Sequence, residues 1–190
     1  LIRCFESQGY ERIKPPLVEF EDSLFSGPGA AMTESTFRLM DPISRRMMGV
    51  RADVTVQVAR IAATRLGHVP RPIRLCYSGE VLRVTPGDLN PERELVQVGA
   101  ELVGADTIEA DAEVILLALD ALRNVGTPRM SVDITAPRLV PTLLAAFEID
   151  GVSERDLRVA IDRKDPAGVE RHAGKLASIL TELMAAAGER

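Results

Sequence analysis

Residues 71–104 read RPIRLCYSGEVLRVTPGDLNPERELVQVGAELVG, and the fold turns on them. Two strand-like runs, Ile73–Val84 and Arg93–Val103, flank Thr85–Glu92, where Pro86, Gly87, Asp88, Asn90 and Pro91 crowd together. Proline fixes φ, glycine reaches positive φ, and Asn or Asp side chains bond their own backbone, so the pattern predicts a long antiparallel hairpin. Strand side chains alternate. Val96, Val98, Ala100 and Leu102 therefore form one face, and Leu95, Gln97, Gly99, Glu101 and Val103 the other. Gln97 and Glu101 project in the same direction, about 13 Å apart along the strand. Gly99 between them leaves room for a group to rest on the sheet. Arg83, on the opposing strand, reaches the same face if the register suits. An acid, an amide and a guanidinium around a glycine floor suit a small zwitterion. On pattern alone the commoner meaning is a solvated sheet face, where isolated Gln, Glu and Arg carry no function.

Working outward, the chain of 190 residues is long enough for one sizeable core, or a core with a small appendage. Hydrophobic residues make up 46% and charged residues 27%, ordinary for a globular protein. Aromatics are only 4%, without Trp, which argues against stacking on bases, and the net charge of −5 argues against a nucleic-acid surface. Cys4 and Cys76 have no metal-ligand spacing, and two lone cysteines suit a reducing cytosol. No signal peptide or run of 18 apolar residues points to export or a membrane, so the expectation is a cytoplasmic protein. Leu1 opens the sequence without Met, inside an apparent helix, which predicts a fragment of a longer chain.

Leu1–Gln8 reads as a helix end stopped by Gly9. Glu11–Phe20 reads as an extended segment that Pro15 and Pro16 keep out of a central sheet position. Ser26–Ser35 has the composition of an exposed loop. Thr36–Met40 and Arg46–Val50 read as paired strands joined by an Asp41-Pro42 turn. A helix over Val54–Leu66 follows, with Asp53 in place to cap it, and the same carboxylate could instead bind a ligand. After the hairpin, Asp106 or Thr107 caps a helix to about Asn124, with Ile108, Ala112, Ile115, Leu116, Leu119 and Leu122 as its predicted buried stripe. Met130–Thr135 alternates like a strand. From Pro137 the pattern is helical: Pro137–Phe147, a Ser153-capped helix Glu154–Ile161, and a last helix from Asp165-Pro166 carrying Leu176, Ile179, Leu180, Leu183 and Met184. The prediction is an α+β fold, an antiparallel sheet with helices on one face over residues 1–136, followed by a helical segment over 137–190.

The hairpin sequence resembles motif 2 of class II aminoacyl-tRNA synthetases in the form found in histidyl-tRNA synthetases: F-R-x-E, a loop, then R-Q-F-x-Q-x-G-x-E. Val81–Thr85 matches the first part and Arg93–Glu101 the second. Gly49–Thr55 (GVRADVT) resembles the L-R-P-E-G-T segment of the same family, with Ala52 replacing Pro, and Glu11–Phe20 resembles the motif 1 strand that forms that family's dimer interface. The resemblance implies an amino-acid pocket lined by Asp53, Thr55, Arg83, Gln97 and Glu101. It also exposes departures. Thr85 stands where the family has a Glu that helps hold ATP, and Pro91 where a loop Arg reaches the phosphates; neither supplies the missing charge. Ala136-Pro137-Arg138 replaces Asn-Ser-x-Gly, and the sequence stops before any motif 3.

Three phrases, VTVQVARIAATRL, RPIRLCYSGEVLRV and RELVQVGAELVGAD, are similar to the T-P-Q-V-A-R-I, R-L-C-Y-x-G-x-V-L-R and Q-V-G-A-E-L-x-G of the regulatory subunits of ATP phosphoribosyltransferase, a paralogue family of histidyl-tRNA synthetases. That resemblance implies a protein without catalysis of its own. It would sense histidine as effector, form a homodimer through the motif 1-like region and a hetero-octamer with a short-form catalytic subunit, and act in histidine biosynthesis. Neither a metal nor a cofactor is implied. The alternative is a fragment of a histidyl-tRNA synthetase core.

Overall fold

The structure, a computed structural model, describes residues 1–85, 91–134, 138–146 and 154–186. Its elements in chain order begin with helix α1 (Ile2–Ser7), strands β1 (Glu11–Arg12) and β2 (Val18–Phe20) and helix α2 (Glu21–Leu24). A 3-10 helix (Gly27–Ser35), strands β3 (Phe37–Met40) and β4 (Met47–Val50) and helix α3 (Thr55–Ala63) follow. Strands β5 (Ile73–Leu82) and β6 (Glu94–Val103) then lead to helix α4 (Ile108–Asn124). Helices α5 (Leu139–Ala146), α6 (Glu154–Asp162), α7 (Pro166–Ala173) and α8 (Ala177–Ala186) close the chain. It divides into two compact units, Leu1–Met130 and Ser131–Arg190, a few residues ahead of the expected division.

In the first unit β5 and β6 pair antiparallel, with Tyr77 opposite Gly99 and Gly79 opposite Gln97. The expected hairpin is present; its turn residues Pro86, Gly87, Asp88 and Asn90 lie outside the described residues. β1 joins the far side of β5 in parallel, so this sheet, ordered β1-β5-β6, is mixed and not wholly antiparallel, and among the described residues β6 is its edge. Helices cover both faces, contrary to the one-sided expectation, because β5 is apolar on both. Ile73, Leu75, Tyr77 and Val81 pack on Val54, Val58 and Ala62 at and within α3. Cys76, in the opposite direction, packs with Phe5 of α1, Tyr10 just ahead of β1, and Leu117 and Ala121 of α4. A second sheet, β2-β4-β3, is antiparallel and contains the expected strand pair. Backbone bonds stitch the two sheets: Leu82 N–H donates to Arg51 O at 3.0 Å, and Val84 N–H to Ser35 O at 3.1 Å.

Four expectations need correction. Ser26–Ser35 is mostly 3-10 helix, not loop; Pro28 starts it, and the Thr33 and Thr36 hydroxyls donate to the Ala30 and Met32 carbonyls. Residues 130–134 are not a strand, and Thr135 lies outside the described residues. The predicted final helix is broken by Gly174, whose φ of 52° suits a residue without Cβ, so α7 and α8 are separate. The fourth concerns α4, which Thr107 caps as expected through Ala110 N–H. Its buried residues are Ala110, Leu117 and Ala121, not the stripe that holds most of its Leu and Ile. Small alanines let the helix approach the sheet, and Ile108, on the predicted stripe, is left 84% exposed. Leu117→Ala is therefore expected to cost about 2–5 kcal/mol, whereas Ile108→Ala stays within about 0.5 kcal/mol of wild type. Urea unfolding of the two variants checks this; equal losses would restore the predicted stripe.

The second unit has its own core of Val140, Leu157, Ala160, Val169, Ala173, Leu176 and Leu180. Leu183, on the predicted stripe of the last helix, is exposed, while Phe147 and the capping Ser153 lie outside the described residues. No helix among the described residues is long and apolar enough to cross a membrane, and no group of three or more His, Cys, Asp or Glu there could hold a metal.

Candidate functional site

The face of β6 carrying Leu95 and Val103 packs toward the α3 core, so Gln97, Gly99 and Glu101 meet the segment that leads into α3. Gln97 Oε1 accepts the Val54 N–H at 2.9 Å, and its Nε2 donates to Asp53 Oδ1 at 3.1 Å. That same Oδ1 accepts the Thr55 N–H at 2.7 Å. Asp53, one residue ahead of the N-cap Val54, thus stabilises the helix start through one oxygen. Among the described residues, the other oxygen makes no hydrogen bond, so supporting the helix start does not occupy the whole carboxylate. Thr55 Oγ1 lies 2.9 Å from Tyr77 Oη, which donates to Glu101 Oε1 at 3.1 Å. Asp53, Thr55, Gln97 and Glu101 are joined in one hydrogen-bond network, and Tyr77 is the link.

Tyr77 was not singled out from sequence, where it reads as one more apolar strand position. The available signal was the aromatic side chain paired with a glycine across the hairpin. Gly99 does not leave an empty floor for a ligand, as expected; a Cβ there would stand 2.4 Å from Tyr77 Oη, so the space belongs to the tyrosine. Only 2% exposed, Tyr77 has its phenol pushed up to about 12, first by burial and then by the charges of Glu101 and Asp53. It remains a protonated donor at neutral pH.

Arg83 stands apart. Its Nε reaches Ala52 O at a long 3.4 Å, and among the described residues it pairs with neither Asp53 nor Glu101. A different arginine is built in nearby. Arg51, 4% exposed, donates from Nε to Glu80 O at 2.7 Å and from Nη1 to Pro15 O at 2.8 Å. It lies over Gly79, where a Cβ would come within 2.1 Å of Nη2. Burial pulls its guanidinium below the ordinary value, with Glu80 and Glu19 opposing. Beside it, Gln57 Nε2 donates to Pro16 O and Glu19, and Arg60 pairs with Glu19 at 2.6 Å. These groups pin the Pro15–Glu19 segment to α3, and so fix where Asp53 and Thr55 sit.

A cleft of about 740 Å³ lies on the other side of the sheet, lined by Gln8, Tyr10, Arg74, Glu109, Glu113 and Leu116 among others. Arg74 grips Glu113 with two bonds of 2.7 Å, Tyr10 adds a third at 2.9 Å, and the Arg74 bonds hold the Glu113 carboxyl below its usual range. The three groups satisfy one another and fasten α4 to β5 and the start of β1, which is a structural role.

The sequence profile of histidyl-tRNA synthetases matches residues 1–190. The chain belongs to the histidyl-tRNA synthetase family. Within this family, the ATP phosphoribosyltransferase regulatory subunit of Rhodospirillum centenum is 53% identical over 188 residues, covering 99% of this chain and 49% of that protein. The regulatory subunit of Paramagnetospirillum magneticum is 52% identical, over 99% of this chain and 50% of its own. Among solved structures, an ATP phosphoribosyltransferase regulatory subunit/histidyl-tRNA synthetase from Bacillus halodurans superposes with a TM-score of 0.77 at 29% identity, covering all of this chain and 50% of its own. The chain spans about half the length of the curated relatives it matches. The α+β class II synthetase-like fold expected from the motifs is the fold of this family member.

Proposed function

We propose that the full-length protein is a regulatory subunit of ATP phosphoribosyltransferase, without catalysis of its own, that senses histidine at the Asp53–Glu101 network. The observation that carries this reading is the 53% identity to a protein of that name over nearly the whole chain. Chemistry supports it. The amino-acid side of the site keeps its acids, hydroxyl and amide in one network, while Thr85 and Pro91 offer ATP neither an acid nor a cation. Arg83 is the carboxylate partner in this reading, and it must swing from Ala52 O to serve. The working assembly is a homodimer formed through the Glu11–Phe20 region, joined by short-form catalytic subunits in a cytoplasmic hetero-octamer, with no nucleic acid and no cofactor. Histidine can act as effector only by binding one assembly state better than another.

A genuine histidyl-tRNA synthetase is the second reading, favoured by the family profile itself. Histidine-dependent pyrophosphate exchange on the full-length protein separates the two. The expected result is no exchange together with saturable histidine binding; turnover at a synthetase-like rate would end the regulatory reading.

A further inference from the structure

We infer that Tyr77 sets the direction of the hydrogen bonds at Thr55 and Glu101, turning both into acceptors, and so makes the Asp53–Glu101 site select ligands that present donors, an ammonium group above all. This rests on reading that site as an amino-acid pocket. As a carboxylate Glu101 can only accept, so Tyr77 spends its single proton on Oε1. The 2.9 Å contact with Thr55 must then run from the threonine hydroxyl to the phenol oxygen. Thr55 in turn has spent its proton inward, and only its lone pairs remain to face a ligand. Asp53 is acceptor-only, and the Gln97 amide spends its oxygen on the Val54 N–H and one of its two N–H donors on Asp53. What Asp53, Thr55 and Glu101 offer a ligand is a set of acceptors.

The phenol cannot turn away, because it is buried and rests on Gly99. Tyr77 is thus a positioning residue: it acts through Thr55 and Glu101, not by touching the ligand. With Tyr77→Phe the threonine hydroxyl is released and can donate, so the site loses its one-way polarity.

Calorimetric titration of the full-length protein tests this with three ligands: histidine, histidinol (which lacks the carboxylate) and imidazolepropionate (which lacks the ammonium). Tyr77→Phe is expected to weaken histidine and histidinol about tenfold while leaving imidazolepropionate unchanged, so that the preference for an amine collapses by the same factor. If all three weaken together, Tyr77 only packs, and the inference falls. Thr55→Val and Thr55→Ser provide an independent arm should Tyr77→Phe fail to fold. The valine should lose the same preference and the serine keep it, and equal behaviour of the two would also overturn the inference. A wild-type protein that binds none of the three ligands overturns the amino-acid-pocket reading itself, a result distinct from either failure.

Discussion

Arg51→Met is expected to destabilise the protein by about 2–4 kcal/mol. The substitution removes the Arg51 donors from the buried Pro15 carbonyl and the part-buried Glu80 carbonyl, and an orphaned acceptor costs about 1–3 kcal/mol where it is fully buried. The loss falls in the lower part of the summed range because the guanidinium itself is held at a desolvation cost, which methionine removes. Gly79→Ala should also destabilise, since its Cβ would displace the guanidinium it supports. The two effects share one cause. The double variant Arg51→Met/Gly79→Ala should therefore be more stable than the sum of the single losses, as residues in contact generally deviate from additivity. Urea unfolding with a constant m-value reads all three variants. Strict additivity would mean that arginine and glycine act independently, and the clamp would have to be abandoned.

The second large effect concerns binding. Glu101→Gln keeps an oxygen to accept the Tyr77 hydroxyl, so it removes charge while sparing the network. Breaking one member of a charge-assisted pair typically costs about 2–5 kcal/mol, and ~1.4 kcal/mol is tenfold in affinity. Histidine binding to the full-length complex should weaken by at least about tenfold. Val98→Ala, on the opposite side of the same strand and packed toward the α1 and α4 core, should lower stability and leave affinity nearly unchanged. Equal calorimetric affinities for wild type and Glu101→Gln would reduce the strip to a structural network without a part in histidine binding.

Much of the site's placement was legible because strand periodicity is rigid. Once residues 93–103 were read as a strand, Gln97, Gly99 and Glu101 had to share a face, and in the structure they do. The pairing across the hairpin was not legible, since it depends on how the turn closes; hence Tyr77, opposite Gly99, went unnoticed and the glycine was given to a ligand. Arg83 was placed by strand parity and resemblance, neither of which says where a long flexible side chain rests. On α4, counting Leu and Ile chose the wrong stripe. Periodicity locates an apolar face but does not say which face is covered, and the alanines that permit close packing contribute little to such a count. Residues 130–134 alternate as a strand should, yet alternation gives no backbone partner, and pairing is what makes a strand.

The position of β6 has a further consequence for the chain in solution. Among the described residues no strand pairs with the outer side of β6, so its backbone donors and acceptors there lie at the rim of the sheet, beside Val96, which is 67% exposed. An open rim of this kind is a template for any extended peptide, whether from the same molecule or a stranger. Exposed Glu94 makes one end of β6 unattractive to an apolar intruder, and Val98, Ala100 and Leu102 on the same face pack toward the α1 and α4 core, but Val96 between them stands open. The net charge of −5 repels another copy at a distance but does not cover such a rim at contact.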